Sequence, residues 1–293
     1  MLKRILTASV LLVLVFGTIL GLRQIFVEFA DVVGILICCL GVYEMAGAFK
    51  KAEYNPMKSG LITGCILIYP LTLIFERFLG KGEVGIVATL AFSVMICIIE
   101  FTFVHKYELK DLLSTIFILI YPLAMFAIFF VVNHSNCGLL GIFLTLLIPV
   151  MSDTMAYFTG ITFKGKKLCP EISPKKTISG AIGGLLGGII GAMLVYVLFD
   201  VTGLFVNFNN VGIMHLTDSL LSSAFVYLAI GLVGGVLSEV GDLGASWIKR
   251  KAGIKDFGKI FPGHGGMMDR LDSILFVLPL VYIVINIVSA VNA

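Results

Sequence analysis

A membrane-crossing helix needs about 20 mostly apolar residues, and this 293-residue chain offers such a run nine times. The runs lie at about 5–22, 31–49, 60–79, 84–104, 111–132, 138–160, 179–200, 219–243 and 270–292. The gaps between them are too short to hold a soluble domain. The expected fold class is therefore all-α, a polytopic integral membrane protein with about nine transmembrane helices. Apolar residues make up 59% of the chain and charged residues 13%, whereas a soluble chain is about half apolar and a quarter charged. A water-soluble domain is excluded on that ground. A disordered chain is excluded too, since it needs low hydrophobicity and high net charge. The first run follows Lys3 and Arg4, exceeds the length of a signal-peptide core and precedes no A-x-A cleavage site, so it is read as an uncleaved span.

The basic residues set the expected orientation. With nine spans, one side of the membrane receives 18 of the 21 Lys and Arg residues, and the other only Arg23, Arg77 and Lys81. Cytoplasmic loops carry the excess of Lys and Arg, so the N-terminus is expected in the cytoplasm and the C-terminus outside. On this count Cys137 falls in an outside loop and Cys169 in a cytoplasmic one. The six cysteines show no CxxC pair and no Cys/His metal spacing, so neither a disulfide framework nor a zinc site is expected. The net charge of +3 gives no reason to expect a nucleic-acid partner. The cytoplasmic segments at 161–178 and 244–269 are the longest polar stretches and hold 10 of those 18 charges. That density exceeds what orientation requires and points to an anionic ligand. The chain accordingly divides into N-terminal transmembrane helices (1–135) and a C-terminal transmembrane catalytic region (136–293).

Acidic residues inside spans are costly and mark function by default. Asp153 lies in the sixth span, about 10 Å below its cytoplasmic end at 1.5 Å per residue. Asp242 lies at the cytoplasmic end of the eighth, four residues from both Ser238 and Ser246 and so on one helical face with them. Asp269 and Asp272 open the ninth span on a shared face. Glu44 and Glu100 each stand alone and are expected at the interface or against a buried partner. The run from Gly180 to Gly191, with Gly231 and Gly235 in the next span, has the small-xxx-small spacing of close helix packing.

Two cytoplasmic segments carry the chemistry. In Ile172-Ser-Pro-Lys-Lys-Thr177, Pro174 prevents a regular helix, while Ser173, Lys175, Lys176 and Thr177 offer hydroxyl and ammonium groups just before a glycine-rich helix start, an arrangement that suits phosphates. In Ser246-Trp-Ile-Lys-Arg-Lys-Ala-Gly-Ile-Lys-Asp-Phe-Gly-Lys-Ile-Phe-Pro-Gly-His-Gly-Gly-Met-Met-Asp-Arg-Leu-Asp272, the glycines let backbone approach a ligand closely. His264 sits at the turn's tip. Asp242, Asp269 and Asp272 have the oxygen donors for a divalent metal, and the cations can offset phosphate charge. Nucleotidyl or phosphoryl transfer requires those parts.

The second segment resembles, without a gap, the signature of the phosphatidate cytidylyltransferases, also called CDP-diacylglycerol synthases. The Ser152-Asp-Thr-Met-Ala-Tyr157 and Ile172–Thr177 blocks resemble the same family. Ser179 stands where that family often has glutamate, and Lys164-Gly-Lys-Lys167 reshuffles its usual run. The resemblance implies a Mg²⁺-dependent enzyme, with room for a second cation, that converts CTP and phosphatidate to CDP-diacylglycerol and pyrophosphate. It implies Asp242, Asp269 and His264 as catalytic residues and Asp242, Asp269 and Asp272 as metal ligands. Asp153, Ser173, Lys175, Lys176, Lys249, Arg250, Lys255 and Arg270 would contact substrate. The implied setting is the inner or plasma membrane, with the active site facing the cytoplasm and lipid at hand; a homodimer is left open. A related CTP-dependent lipid kinase or another lipid-phosphate cytidylyltransferase stays open as an alternative. So does a secondary transporter for an anionic solute, although the polar residues cluster at one face rather than at the midplane.

Overall fold

The computed structural model describes residues 17–205, 216–217, 219–261 and 265–291. Among them, eight helices are long and apolar enough to cross a membrane. They are α1 (Glu28–Lys51), α2 (Lys58–Leu79), α3 (Gly82–Val104), α4 (Leu109–His134), α5 (Gly138–Phe163), α6 (Ile178–Val201), α7 (Leu220–Lys251) and α8 (Met268–Val291). The expected span at 5–22 falls mostly outside the described residues; its last part is a π-helical turn, Gly17–Leu22. The remaining eight expected spans each correspond to one helix, and the fold is all-α, with one small hairpin among the described residues.

That hairpin corrects the reading of 161–178 as a loop. Strand β1 (Lys167–Cys169) pairs antiparallel with β2 (Ser173–Thr177), with Lys167 opposite Thr177 and Cys169 opposite Ser173. Pro174 can sit in so short a ribbon because only a central strand needs every N–H. A second difference concerns Asp242. Helix α7 does not stop at 243 but runs to Lys251, so Asp242 lies inside a helix, with more than two further turns beyond it. Once past the hydrocarbon, water can hydrate Lys249, Arg250 and Lys251, and the helix ends only near Gly253, whose φ of +63° suits glycine.

The chain forms two compact units. One comprises Met1–Val131 and Ile248–Leu271. Within it, glycines let helices meet: a side chain at Gly64 would strike Leu119 and Leu123, and one at Gly34 would strike Phe129 and Phe130. Asp111 ties the connection between α1 and α2 to the start of α4, accepting the Asn55 N–H at 2.6 Å and the Glu108 N–H at 3.0 Å.

The other unit comprises Val132–Trp247 and Asp272–Ala293, and its centre is α6. Gly183, Gly187 and Gly191 face α5, where a Cβ on Gly191 would lie 2.6 Å from the Leu147 carbonyl oxygen. Gly188 faces α7, where a Cβ would lie 2.5 Å from the Gly231 oxygen and 2.7 Å from Gly235 Cα. Two glycine stripes on one helix thus bring three backbones to near contact. Lipid offers no hydrophobic drive for helix association, so such backbone packing supplies it.

Cys137 lies in the short connection between α4 and α5, where a loop is expected, but it is not accessible there. It is fully buried beneath the start of α5, and desolvation pushes its thiol up to about 11. Cys169, on β1, is half-exposed. Native protein in detergent should therefore be labelled by a maleimide at Cys169 and spared at Cys137 until denatured, as read by peptide mass spectrometry. Equal native labelling of the two would contradict this packing.

Candidate functional site

Within the second unit, the hairpin positions one cation. Successive strand residues point to opposite faces, so Lys175 is exposed while Lys176 turns inward. Lys176 Nζ reaches Asp242 Oδ2 at 2.8 Å. The hairpin is held by its flanks: Ile178 N–H donates to the Lys166 oxygen at 3.0 Å, and the Ser179 hydroxyl donates to the Lys164 oxygen. Thr177 caps α6, its Oγ1 accepting the Gly180 N–H at 3.0 Å. Ser179, where the resembled family often has glutamate, thus works here as a backbone tie. On α7, Ser246 Oγ donates to Asp242 Oδ1 at 3.4 Å, which bears out the shared face read from their spacing.

Around this pair lie further oxygen groups of the same unit. Glu239, one residue after Ser238, interacts electrostatically with Lys176, Asp153 and Asp242. Its Oε1 is buried with no hydrogen-bond partner among the described residues, as are the hydroxyls of Ser152 and Ser238. Glu239 Oε1 and Ser152 Oγ both lie against Gly184, where a Cβ would sit 3.2 Å from that hydroxyl and closer still to the carboxylate. Asp153 is exposed on α5. Asp272 is buried, accepts the Ser273 N–H at 2.8 Å, and packs its backbone oxygen against Gly241. Glu239 was not singled out from the sequence. The signal was present, since it is an acid in a span beside residues already flagged.

The first unit holds a second cation–carboxylate pair. Lys249 Nζ meets Asp269 Oδ1 at 2.8 Å, and the same ammonium lies 5.3 Å from the centre of the Phe257 ring. Asp269 Oδ2 accepts two backbone N–H groups, from Phe257 and Gly266, each at 2.9 Å. Every oxygen of Asp269 is engaged by the chain itself. Asp269, expected as a metal ligand, is here the point that ties Lys249, Phe257 and Gly266 together. Phe261 N–H donates to the Gly265 oxygen at 3.0 Å, closing the turn at its base; His264, at the expected tip, lies outside the described residues. Arg250, Lys255 and Arg270 are exposed, and Ser173 is half-buried in β2.

Among the described residues, no three His, Cys, Asp or Glu side chains stand together as a metal site. Mg²⁺, however, is commonly held by one or two carboxylates together with substrate phosphates. Asp242 with the unpartnered Glu239 oxygen fits that requirement, and the donors are all hard oxygens.

A model of the cytidylyltransferase family matches residues 2–288. Among curated relatives, a phosphatidate cytidylyltransferase of Helicobacter pylori (strain J99) is 31% identical over 269 residues, 92% of this chain and 86% of the relative. One of Rickettsia conorii is 34% identical over 168 residues, 57% of this chain and 66% of the relative. One of Bacillus subtilis is 35% identical over 157 residues, 54% of this chain and 51% of the relative. The chain thus spans about half to two thirds of the length of the latter two.

The two ion pairs should differ in what they do for stability. The side chains of Lys249 and Asp269 are 12% and 6% exposed, those of Lys176 and Asp242 22% and 29%. Removing one partner of a buried pair strands a charge and costs ~3–5 kcal/mol, while a partly hydrated pair is worth about 1 kcal/mol or less. Thermal unfolding in detergent should show a large loss for Lys249→Met and a small one for Lys176→Met. Equal losses would contradict the assignment.

Proposed function

The chain belongs to the cytidylyltransferase family, and from that premise we propose that it converts CTP and phosphatidate to CDP-diacylglycerol and pyrophosphate. A phosphate oxygen of phosphatidate attacks the α-phosphorus of CTP; the bond from that phosphorus to the bridging oxygen of the β-phosphate breaks, and pyrophosphate leaves with the electron pair. The observation that carries the reading is the half-exposed Lys176–Asp242 pair beside the unpartnered Glu239 oxygen. A carboxylate and an ammonium kept in a membrane-spanning setting, yet open to small ligands, suit an anionic substrate whose lipid partner is itself in the bilayer.

In this reading Lys176 leaves Asp242 to meet phosphate oxygens, with Lys175 and Ser173 beside it on β2. Arg250, Lys255 and Arg270 add positive charge around the signature segment, drawing the triphosphate by long-range attraction. Asp242, with Glu239 and with Asp153 and Asp272 of the same unit, supplies oxygen donors for Mg²⁺, and a second cation can be served by the same set. When bound, Mg²⁺ offsets charge on the phosphates as pyrophosphate departs. Asp269 is assigned to holding the segment, and His264 to a phosphate contact at the turn. The excess of Lys and Arg supports a cytoplasmic N-terminus and a site open to the cytoplasm of the inner or plasma membrane, where CTP is present.

Purified protein given phosphatidate, Mg²⁺ and CTP labelled at the α-phosphorus should place that label in lipid, with one pyrophosphate released per lipid formed. EDTA should abolish the transfer, and Mg²⁺ or Mn²⁺ should restore it. Lipid labelled instead from the γ-phosphorus would mark a kinase, and no transfer from either position would overturn the proposal.

A further inference from the structure

Glu44 lies seven residues before the end of α1 and is only 4% exposed. A carboxylate that deep needs donors. Its Oε2 accepts the Met268 N–H at 2.8 Å across 224 residues of sequence, and the Met267 N–H also donates to the carboxylate. Met268 opens α8, and the first N–H groups of a helix have no partner within it. Glu44 therefore caps α8 from another helix, with a charge of the sign that a helix N-terminus favours.

Two glycines of the signature segment are explained by the same carboxylate. A Cβ on Gly258 or on Gly266 would fall well inside contact distance of the Glu44 oxygens. The segment thus wraps the carboxylate with backbone alone, and only glycine permits that approach. Asp269 completes the arrangement, since it ties Gly266 itself and Phe257, the residue before Gly258. Neither function nor family resemblance assigned a role to α1.

We propose that Glu44 is a positioning residue: it fixes Gly258 against Gly266 and the start of α8, so that the cations flanking them meet phosphate oxygens in register. The kinetic half of this inference rests on the cytidylyl-transfer reading above; the structural half does not.

Hydrogen exchange tests the structural half. Glu44→Gln keeps the size but turns an acceptor-only group into one that also carries donors, so the Met267 and Met268 amides should exchange at least about tenfold faster. Amides of α2 should be unchanged. Unchanged exchange at Met267 and Met268 would overturn the clamp.

A double-mutant cycle tests the kinetic half with CTP and phosphatidate. Gly258→Ala should lower turnover at least about tenfold in the native background, because its methyl displaces the carboxylate. In the Glu44→Ala background the same change should cost less than about twofold, since contacting residues are not additive. The same loss in both backgrounds would overturn a direct Gly258–Glu44 contact. Should Glu44→Ala not fold, the Glu44→Gln exchange result decides by itself. Should the native protein transfer no cytidylyl group, the exchange measurement still decides whether the clamp exists.

Discussion

A carboxylate in a membrane-spanning helix persists only where something answers its charge, since a lone charge at that depth costs several kcal/mol. Three acids of this chain meet that condition in three ways. Asp269 is closed off by a lysine and two backbone N–H groups. Glu44 is answered by backbone N–H at Oε2, while its Oε1 is buried without a hydrogen-bond partner among the described residues. Asp242 is answered by Lys176, with the Ser246 hydroxyl on its other oxygen, in a place that water can reach. The first two carboxylates are buried and brace the chain, while the third is half-exposed. That contrast in exposure, more than the presence of acids as such, underlies the proposed division between scaffold and chemistry.

Placing the Lys176 end of such a pair requires a rigid mount, which backbone packing provides. Gly183, Gly187 and Gly191 against α5, and Gly188 against Gly231 and Gly235 of α7, leave α6 no room for even a methyl group at these positions. Thr177 caps this helix, and Lys176 is the residue just before that cap. The glycine stripes of a transmembrane bundle thereby set the position of a single ammonium group. Their small-xxx-small spacing is a packing device, and its functional value lies in what the helix carries at its end.

Much of this was legible in the sequence, because lipid imposes a local rule. Apolar length alone located eight of the helices, and the four-residue spacing of Asp242 and Ser246 gave their shared face. What local pattern cannot register is a partner far along the chain. Glu44 reads as an isolated acid until the start of α8, 224 residues on, is brought to it. Asp269 reads as a metal ligand because its neighbours in sequence are a histidine, an arginine and another acid; Lys249 and the Phe257 N–H, which occupy it, come from the fold. The extension of α7 to Lys251 escaped for the opposite reason. Hydropathy marks where the hydrocarbon ends, and a helix continues past that point until a residue such as Gly253 stops it. Cys137 sits in a short polar stretch, and its burial follows from packing that no loop composition records.

The central claim is that the Asp242 charge serves the reaction and not the fold. Asn is isosteric with Asp and leaves the helix intact, so Asp242→Asn separates the two roles in one protein. Turnover with saturating CTP and phosphatidate should fall at least about a hundredfold, as when a preorganised electrostatic group is lost. The unfolding temperature in the same detergent should move by only a few degrees, since the partly hydrated pair is worth about 1 kcal/mol or less. Near-native turnover in Asp242→Asn would contradict the account.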